Sequence, residues 1–242
     1  MISFIASGYR KDKIWLRRTK PAKRNYRVLL AVDDSQSMQK ENAGNMALAA
    51  LATLANGMNQ LEIGELSIAS FGEEMHVIHP FSKPFTFDSG VDCVRNFTFA
   101  QKRTRTALCV ESALTVLKES EYLGSSSSSL NLVFMISDGR IERDSRSKLR
   151  KLIREMTECN ILLVLIIVQG DINSTKKRDG SIVNMKEVSF ENGKPKMRNF
   201  MDDYPFPYYL IVEDMNSLPE ILGDALRQWF EILTQIHIQG FK

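Results

Sequence analysis

The chain has few of the residues on which common enzymatic and cross-linking chemistries depend. It contains three cysteines (Cys93, Cys109, Cys159) and three histidines (His76, His79, His237). An odd set of cysteines without metal-type spacing argues against a disulfide framework and favours a reducing, intracellular compartment. No histidine accompanies a nucleophile motif, and no glycine-rich phosphate loop occurs. We therefore expect a binding domain, not an enzyme.

Long hydrophobic runs are also absent. The longest apolar stretch, Ile161 to Val168, has the length of a strand, whereas a membrane helix needs about 20 such residues. The N-terminus lacks the charged, apolar and cleavage regions of a secretory signal. These absences predict a protein without a membrane span. With 43% hydrophobic residues, the chain can nevertheless bury a substantial core.

Positive charge is concentrated at the N-terminus. Residues 1–24 contain eight Lys and Arg residues and only one acidic residue, Asp12, so the rest of the chain is net acidic. Such clusters support nuclear import, docking on an acidic protein or nucleic-acid binding, and they also occur in solvated tails. Because the aromatic residues are not interleaved with basic ones, we expect no direct nucleic-acid binding. Residues 1–25 are interpreted as a basic arm and 26–242 as one folded domain.

Strand and helix patterns alternate after the arm. Strands are predicted at 26–33, 65–71, 75–79, 130–137, 161–168 and 208–212, and helices at 43–58, 88–95, 106–120, 146–158 and from Ser217 onwards. The strands at 65–71 and 75–79 form a predicted hairpin. The pattern indicates an α/β fold, with a doubly wound, mostly parallel sheet, one antiparallel edge strand and helices on both faces. The turn-rich segment 171–207 interrupts it as a long insertion loop.

Polar residues follow two of the predicted buried strands. One strand ends in Asp33-x-Ser35-x-Ser37 and another in Ser137-Asp138-Gly139. The carboxyl ends of such strands meet at one edge of a sheet, where ligands collect. Carboxylate and hydroxyl oxygens suit Mg²⁺, which keeps several of its waters and so needs few direct protein ligands. The neighbouring Asp34 is expected to face solvent or to cap the following turn.

With a threonine downstream, these motifs resemble the metal-ion-dependent adhesion site of von Willebrand factor A domains. The segment 104–114 resembles the threonine loop and the following Ala/Leu-rich helix of that family, which favours Thr104 as the middle ligand and leaves Thr106 as the alternative. It departs from the family pattern in having basic residues around the threonine where a glycine pair is usual. The resemblance spans roughly residues 26–231.

The resemblance also implies roles for the residues of the site. Ser35, Ser37 and Thr104 would ligate Mg²⁺ directly, with Mn²⁺ as a substitute. Asp33 and Asp138 would act mainly through water. The remaining coordination position would receive an acidic residue of a partner protein.

Residues 13–27, which lead into the first motif, resemble more narrowly the C-terminal domain of a giant dynein-related AAA-type ATPase of ribosome assembly. That resemblance implies that the domain captures ubiquitin-like domains on ribosome-assembly factors, which the ATPase then removes from pre-60S particles. Any ATPase activity would therefore lie elsewhere in the larger protein. The resemblance also implies a nuclear location. The 171–207 loop and the arm are candidates for contact with the AAA ring or for nuclear targeting.

A phosphoacceptor receiver-like or Mg²⁺-dependent phosphoryl-transfer domain is the alternative function. The pair Asp33-Asp34 also resembles the acidic pair that ends the first strand of such domains. Phosphoryl transfer needs a phosphorylatable Asp at a middle strand end and a cation that holds the phosphate. The predicted strand 65–71 ends without an Asp, and the strand ending at Val168 is not followed by a suitable Lys.

Overall fold

The computed structural model describes residues 26–60, 62, 64–123, 130–169, 181–191, 194–214, 216, 219–221, 223–224 and 227–228. The strands are β1 (Tyr26–Asp33), β2 (Gly64–Phe71), β3 (Met75–His79), β4 (Leu130–Ser137), β5 (Ile161–Val168), β6 (Lys186–Glu191), β7 (Lys194–Asn199) and β8 (Tyr209–Val212). The α-helices are α1 (Ala43–Gln60), α2 (Phe87–Arg95), α3 (Thr106–Leu123) and α4 (Arg146–Glu158). Short 3₁₀ helices span Gln36–Asn42, Arg143–Ser145 and Phe200–Asp203.

One sheet organises these elements, with the strand order β3-β2-β1-β4-β5-β8. Each neighbouring pair is parallel except β2 and β3, so the antiparallel strand lies at the edge. The predicted fold class is confirmed. Since β1 lies between β2 and β4, the polar residues that follow these three strands are brought to the same edge of the sheet.

The two faces of the sheet carry separate apolar cores. Leu30, Phe134 and Val164 lie side by side on three neighbouring strands and pack with α1, while the next residues back along each strand pack with α3 and α4 on the opposite face. Because side chains of a strand alternate between faces, strands covered on both sides are apolar over most of their length. This explains why every residue of β1, β4 and β5 is buried. No helix in the described part of the chain is long and apolar enough to cross a membrane.

The predicted insertion loop contains more regular structure than its sequence suggests. Within it, β6 and β7 pair as an antiparallel hairpin, which continues into the 3₁₀ helix Phe200–Asp203. The hairpin has few apolar residues, and its exposed Val188 and Met197 lie opposite each other. Alternation is therefore too weak to distinguish these strands from turns. The basic arm, residues 171–180 and the predicted helix cap Ser217 lie outside the described residues.

Candidate metal site

Asp33 joins the ends of the two central strands. It is the last residue of β1 and has no exposed surface. Its Oδ2 accepts a 2.7 Å hydrogen bond from the hydroxyl of Ser137, the last residue of β4, and its Oδ1 accepts a 3.0 Å bond from the backbone N–H of Ser35. The carboxylate is thereby held at the carboxyl edge of the sheet.

Ser35 and Ser37 form a pair of hydroxyls next to this carboxylate. Their Oγ atoms are 2.9 Å apart. After β1 the chain turns into the 3₁₀ helix Gln36–Asn42, in which the N–H of Met38 bonds to the carbonyl of Ser35 at 3.0 Å. Met38 is fully buried and secures the turn in the core. In an extended strand, the side chains of Ser35 and Ser37 would point to the same side but would lie farther apart. The turn therefore brings their two hydroxyls together.

Asp138 follows β4 and lies near Asp33. Its side chain is 13% exposed, its Oδ1 accepts a 3.0 Å bond from the N–H of Arg140, and its charge contributes to raising the pKa of Asp33. The next residue, Gly139, has φ +77°, and a Cβ there would approach Cδ1 of Ile182 to 2.8 Å. The turn after Asp138 thus requires glycine for both conformation and space.

The threonine loop is fixed at two points beside the serines. Residue Gln101 forms a short parallel bridge with Ser35, since its N–H donates to the carbonyl of Asp34 and its carbonyl accepts from the N–H of Gln36. At its other end, the N–H of Arg105 donates to the carbonyl of residue 72 at 2.8 Å. The loop between these points is held against the β1 and β2 ends.

The two candidate threonines occupy different positions in this arrangement. Thr104 is half-buried and lies between the two fixed points, whereas Thr106 is the first residue of α3 and is buried. Burial and the charge of Asp33 both raise the pKa of Cys109, which places the first turn of α3 close to Asp33. Both threonines thus lie beside the site, and the choice of Thr104 stays a prediction.

Asp34 does not face solvent, and that expectation was wrong. Its side chain is buried, and its carboxylate accepts hydrogen bonds from the N–H groups of Thr98 and Phe99. The Asp34 carboxylate is thus engaged by the 98–99 backbone, whereas the Asp33 carboxylate is engaged by Ser35 and Ser137. Asp34 instead holds the segment that leads into the threonine loop.

The electrostatics of Asp33 fit a bound cation. Burial raises its pKa from 3.8 to about 6, hydrogen bonds from Ser35 and Ser137 oppose that shift, and the charge of Asp138 reinforces it. No Lys or Arg in the described residues forms an ion pair with Asp33. At neutral pH the site therefore holds a buried negative charge without a cationic partner, beside oxygen donors that suit a hard divalent ion. The described residues contain no group of three or more His, Cys, Asp or Glu arranged for a metal, so any ion here would rely on hydroxyl oxygens as well.

Solved structures of several other proteins share this architecture. The VWA domain of SpRpn10 aligns with a TM-score of 0.56 and 10% identity, over 83% of this chain and 95% of that chain. Manganese-loaded TRAP protein of Plasmodium vivax aligns at 0.55 and 16%, over 83% and 72%. Proximal thread matrix protein 1 of the mussel byssus, with a zinc-occupied MIDAS motif, aligns at 0.53 and 13%, over 83% and 47%. The fold is that of a von Willebrand factor A (VWA) domain.

The sequence itself is similar to a much longer protein. It is 38% identical over 232 residues to midasin of Dictyostelium discoideum, covering 96% of this chain and 4% of that protein. It is 39% identical over 236 residues to midasin of Giardia intestinalis, covering 96% and 5%. No family model matches the chain. The chain thus has the fold of a VWA domain and is homologous to part of midasin, and it spans about one twentieth of the length of these relatives.

Proposed function

We propose that this domain binds Mg²⁺ beside Asp33 and thereby captures an acidic residue of a partner protein. The observation that carries the proposal is the buried carboxylate of Asp33, which pairs with no Lys or Arg among the described residues and lies next to the hydroxyl pair of Ser35 and Ser37. These hydroxyls, with that of Thr104, would contact the ion, and Asp33 and Asp138 would accept hydrogen bonds from its waters. An ion held mainly by neutral oxygens supplies residual positive charge for a carboxylate of another molecule.

The relation to midasin supports a proposal for the class of partner. We infer that the domain binds ubiquitin-like domains of ribosome-assembly factors, so that a parent AAA ATPase can remove these factors from pre-60S particles in the nucleus. Homology over 96% of the chain supports this inference. Titration of a ubiquitin-like domain in Mg²⁺ and in EDTA tests it, and equal affinity in both solutions would contradict it.

Basic side chains around the site favour an acidic partner surface. Lys102, Arg103 and Arg105 flank Thr104 in sequence and are exposed, and Arg140 is exposed beside Asp138. The first three form no ion pair within the part of the chain that the structure describes. Exposed charges of one sign accelerate the encounter with a surface of the opposite sign. A partner with further acidic residues around its metal-binding carboxylate would match this surface.

Reversing part of this charge should slow partner association without affecting the metal. For Lys102→Glu/Arg103→Glu we expect an association rate about tenfold lower at low salt, with a weaker dependence on salt. Stopped-flow binding to a ubiquitin-like domain measures both. The matched control, Lys151→Glu/Arg154→Glu, changes the net charge equally at exposed positions of α4. Equal rates for the two variants would remove the basic surface from the proposal.

Valine substitutions should identify the threonine ligand. Thr104→Val removes a hydroxyl at nearly constant volume, and we expect it to weaken Mg²⁺ binding at least about tenfold, as loss of groups around a metal commonly does. Thr104→Ser should retain binding because the hydroxyl remains. Thr106→Val is the matched variant at the start of α3. The Mg²⁺-dependent rise in Tm reports affinity; a loss confined to Thr106→Val would assign the ligand to that residue instead.

The phosphoacceptor alternative is weakened by the position of Asp34. A receiver-type site gathers neighbouring carboxylates around one cation, whereas the Asp34 carboxylate bonds to the 98–99 backbone. The lack of an Asp at the end of β2 does not by itself exclude a phosphoacceptor site. The other neighbour of β1 is β4, and it is followed by Asp138. A covalent aspartyl phosphate after incubation with a small phosphodonor would favour the alternative.

A further inference from the structure

The predicted insertion is tied directly to the loop that carries Asp138. The hydroxyl of Tyr204 donates a 2.8 Å hydrogen bond to the carbonyl of Gly139. Ile182, at the start of the described part of the insertion, packs against the same glycine. The described part of the 171–207 segment therefore contacts the loop that follows β4, beside the proposed metal site.

Tyr204 is held rigidly enough to position what it touches. Its ring packs with those of Phe200, Phe206 and Tyr209, at centroid distances of 5.8, 5.9 and 5.6 Å. Phe200 in turn lies under the guanidinium of the buried Arg146, 4.6 Å from ring centroid to Cζ. Aromatic side chains with few rotatable bonds, packed on several sides, have little freedom to move.

A second contact fastens the hairpin to the same region. Both terminal nitrogens of Arg146, at the start of α4, bind the two carboxylate oxygens of Glu187 on β6 at 3.0 and 2.5 Å. Arg143 adds a 3.1 Å bond to the carbonyl of residue 188. A two-pronged pair of this kind fixes orientation as well as distance. The hairpin and the loop that follows β4 thus form one connected unit.

The Asp138 loop needs such support because its own bonds are local. Asp138 accepts from the N–H of Arg140, and the N–H of Gly139 bonds to the Ser137 hydroxyl at a long 3.3 Å. Both contacts span two residues, so they define a turn without fixing it relative to the rest of the domain. Glycine at φ +77° also leaves the backbone unusually free to change conformation when the native contacts are lost. The bond from Tyr204 attaches this turn to another segment of the fold.

We propose that Tyr204 is a positioning residue of the metal site: by holding the Gly139 carbonyl, it fixes the orientation in which Asp138 meets the ion and its waters. This inference rests on the proposed Mg²⁺ function. Burial, reinforced by the charge of Asp138, raises the pKa of Tyr204 above its usual range, so the hydroxyl stays protonated and remains a donor.

The test compares Tyr204→Phe with Tyr209→Phe in the full chain. Both changes remove one hydroxyl from the same aromatic cluster, but only Tyr204 bonds to the Asp138 loop. We expect Tyr204→Phe to weaken Mg²⁺ binding about tenfold, as loss of groups that orient metal ligands does, with a nearly unchanged Tm in EDTA. We expect Tyr209→Phe to leave both properties unchanged. Isothermal titration with Mg²⁺ alone and thermal unfolding in EDTA measure them.

Hydrogen exchange in EDTA provides a readout that needs no metal. The N–H groups of residues 139 and 140 should exchange faster in Tyr204→Phe, because the turn loses its external bond. Unchanged exchange there, or unchanged Mg²⁺ affinity in a wild type that binds Mg²⁺, overturns the inference. A loss of Mg²⁺ affinity that is accompanied by a clear fall in the Tm measured in EDTA would also overturn it, since Tyr204 would then act through global stability. A wild type without any Mg²⁺ response instead refutes the proposed function, while faster exchange would still show that Tyr204 holds the loop.

Discussion

Asp33→Asn is expected to stabilise the metal-free domain at pH 7 and to abolish its response to Mg²⁺. The wild-type carboxyl has its pKa raised from 3.8 to about 6, mainly by burial. That difference corresponds to a penalty on the order of 3 kcal/mol for the buried charge at neutral pH. Asparagine has nearly the same shape and carries no charge. It can keep hydrogen bonds to Ser35 and Ser137, provided that the Ser137 hydroxyl reverses its direction.

The pH dependence gives this prediction a definite sign. The folded-state pKa of Asp33 lies above the unfolded value, so the stability associated with this group is fully present below pH 3.8 and is lost as the pH rises through about 6. In EDTA, the wild type should lose stability over that window, and Asp33→Asn should lose less. Mg²⁺ should restore stability to the wild type and not to Asp33→Asn, because a ligand that binds the native state stabilises it by mass action.

The neighbouring Asp34→Asn is the matched control. Its carboxylate accepts bonds from two backbone N–H groups, at residues 98 and 99, and an amide replaces one acceptor oxygen with a donor. We therefore expect Asp34→Asn to lower the Tm in EDTA while retaining a response to Mg²⁺. Chemical unfolding at several pH values, with and without Mg²⁺, measures all three proteins. Equal metal-free stabilities of wild type and Asp33→Asn at pH 7 would refute the charge argument.

Capture of an acidic partner should be lost when the metal is removed. EDTA, or Asp138→Ala in the presence of Mg²⁺, is expected to weaken binding of a ubiquitin-like domain by about 100-fold or more, which is the usual scale for breaking a desolvated charged contact. In EDTA, the partner carboxylate would meet Asp33 and Asp138 directly, without an intervening cation. In Asp138→Ala, the ion would lose one of the two carboxylates that accept hydrogen bonds from its waters. Two like charges at short range repel each other instead of binding.

The control for this prediction lies in the same loop. Asp144 is exposed and belongs to the 3₁₀ segment that follows Asp138, so Asp144→Ala changes the net charge equally without touching the site. Binding measured by titration calorimetry should be unaffected in this variant. Asp138→Ala should unfold at nearly the wild-type temperature in EDTA, since its carboxylate bonds only to the turn it begins and lies near the side chain of Arg140. Full binding by folded Asp138→Ala would exclude the proposed site.

Much of the architecture follows from local patterns in this chain. Three strands and one helix lie where their sequence patterns predict them: Tyr26–Asp33, Leu130–Ser137, Ile161–Val168 and the helix Arg146–Glu158. Strands covered on both faces are apolar over most of their length, and amphipathic helices repeat their apolar residues at fixed intervals, so each signal is contained in a short segment. The hairpin Lys186–Asn199 escaped prediction because its sequence has few apolar residues, and the bonds that tie it to the domain come from Arg143 and Arg146, 41 to 45 positions away.

The sequence by itself therefore determined the order along the chain of the strands of the main sheet, the fold class and the polar strand ends that carry Asp33, Ser35, Ser37 and Asp138. Only the tertiary structure decided how these residues divide their tasks. Asp34 holds the segment that leads into the threonine loop, because it bonds to Thr98 and Phe99, which are 64 and 65 positions farther along the chain. Tyr204 bonds to Gly139, which lies 65 positions before it. The burial of Asp33 likewise arises from packing of segments that are distant in the chain. This buried charge is what a cation at the proposed site would neutralise. Local patterns are set by neighbours in sequence, whereas burial and long-range hydrogen bonds exist only once the sheet has assembled.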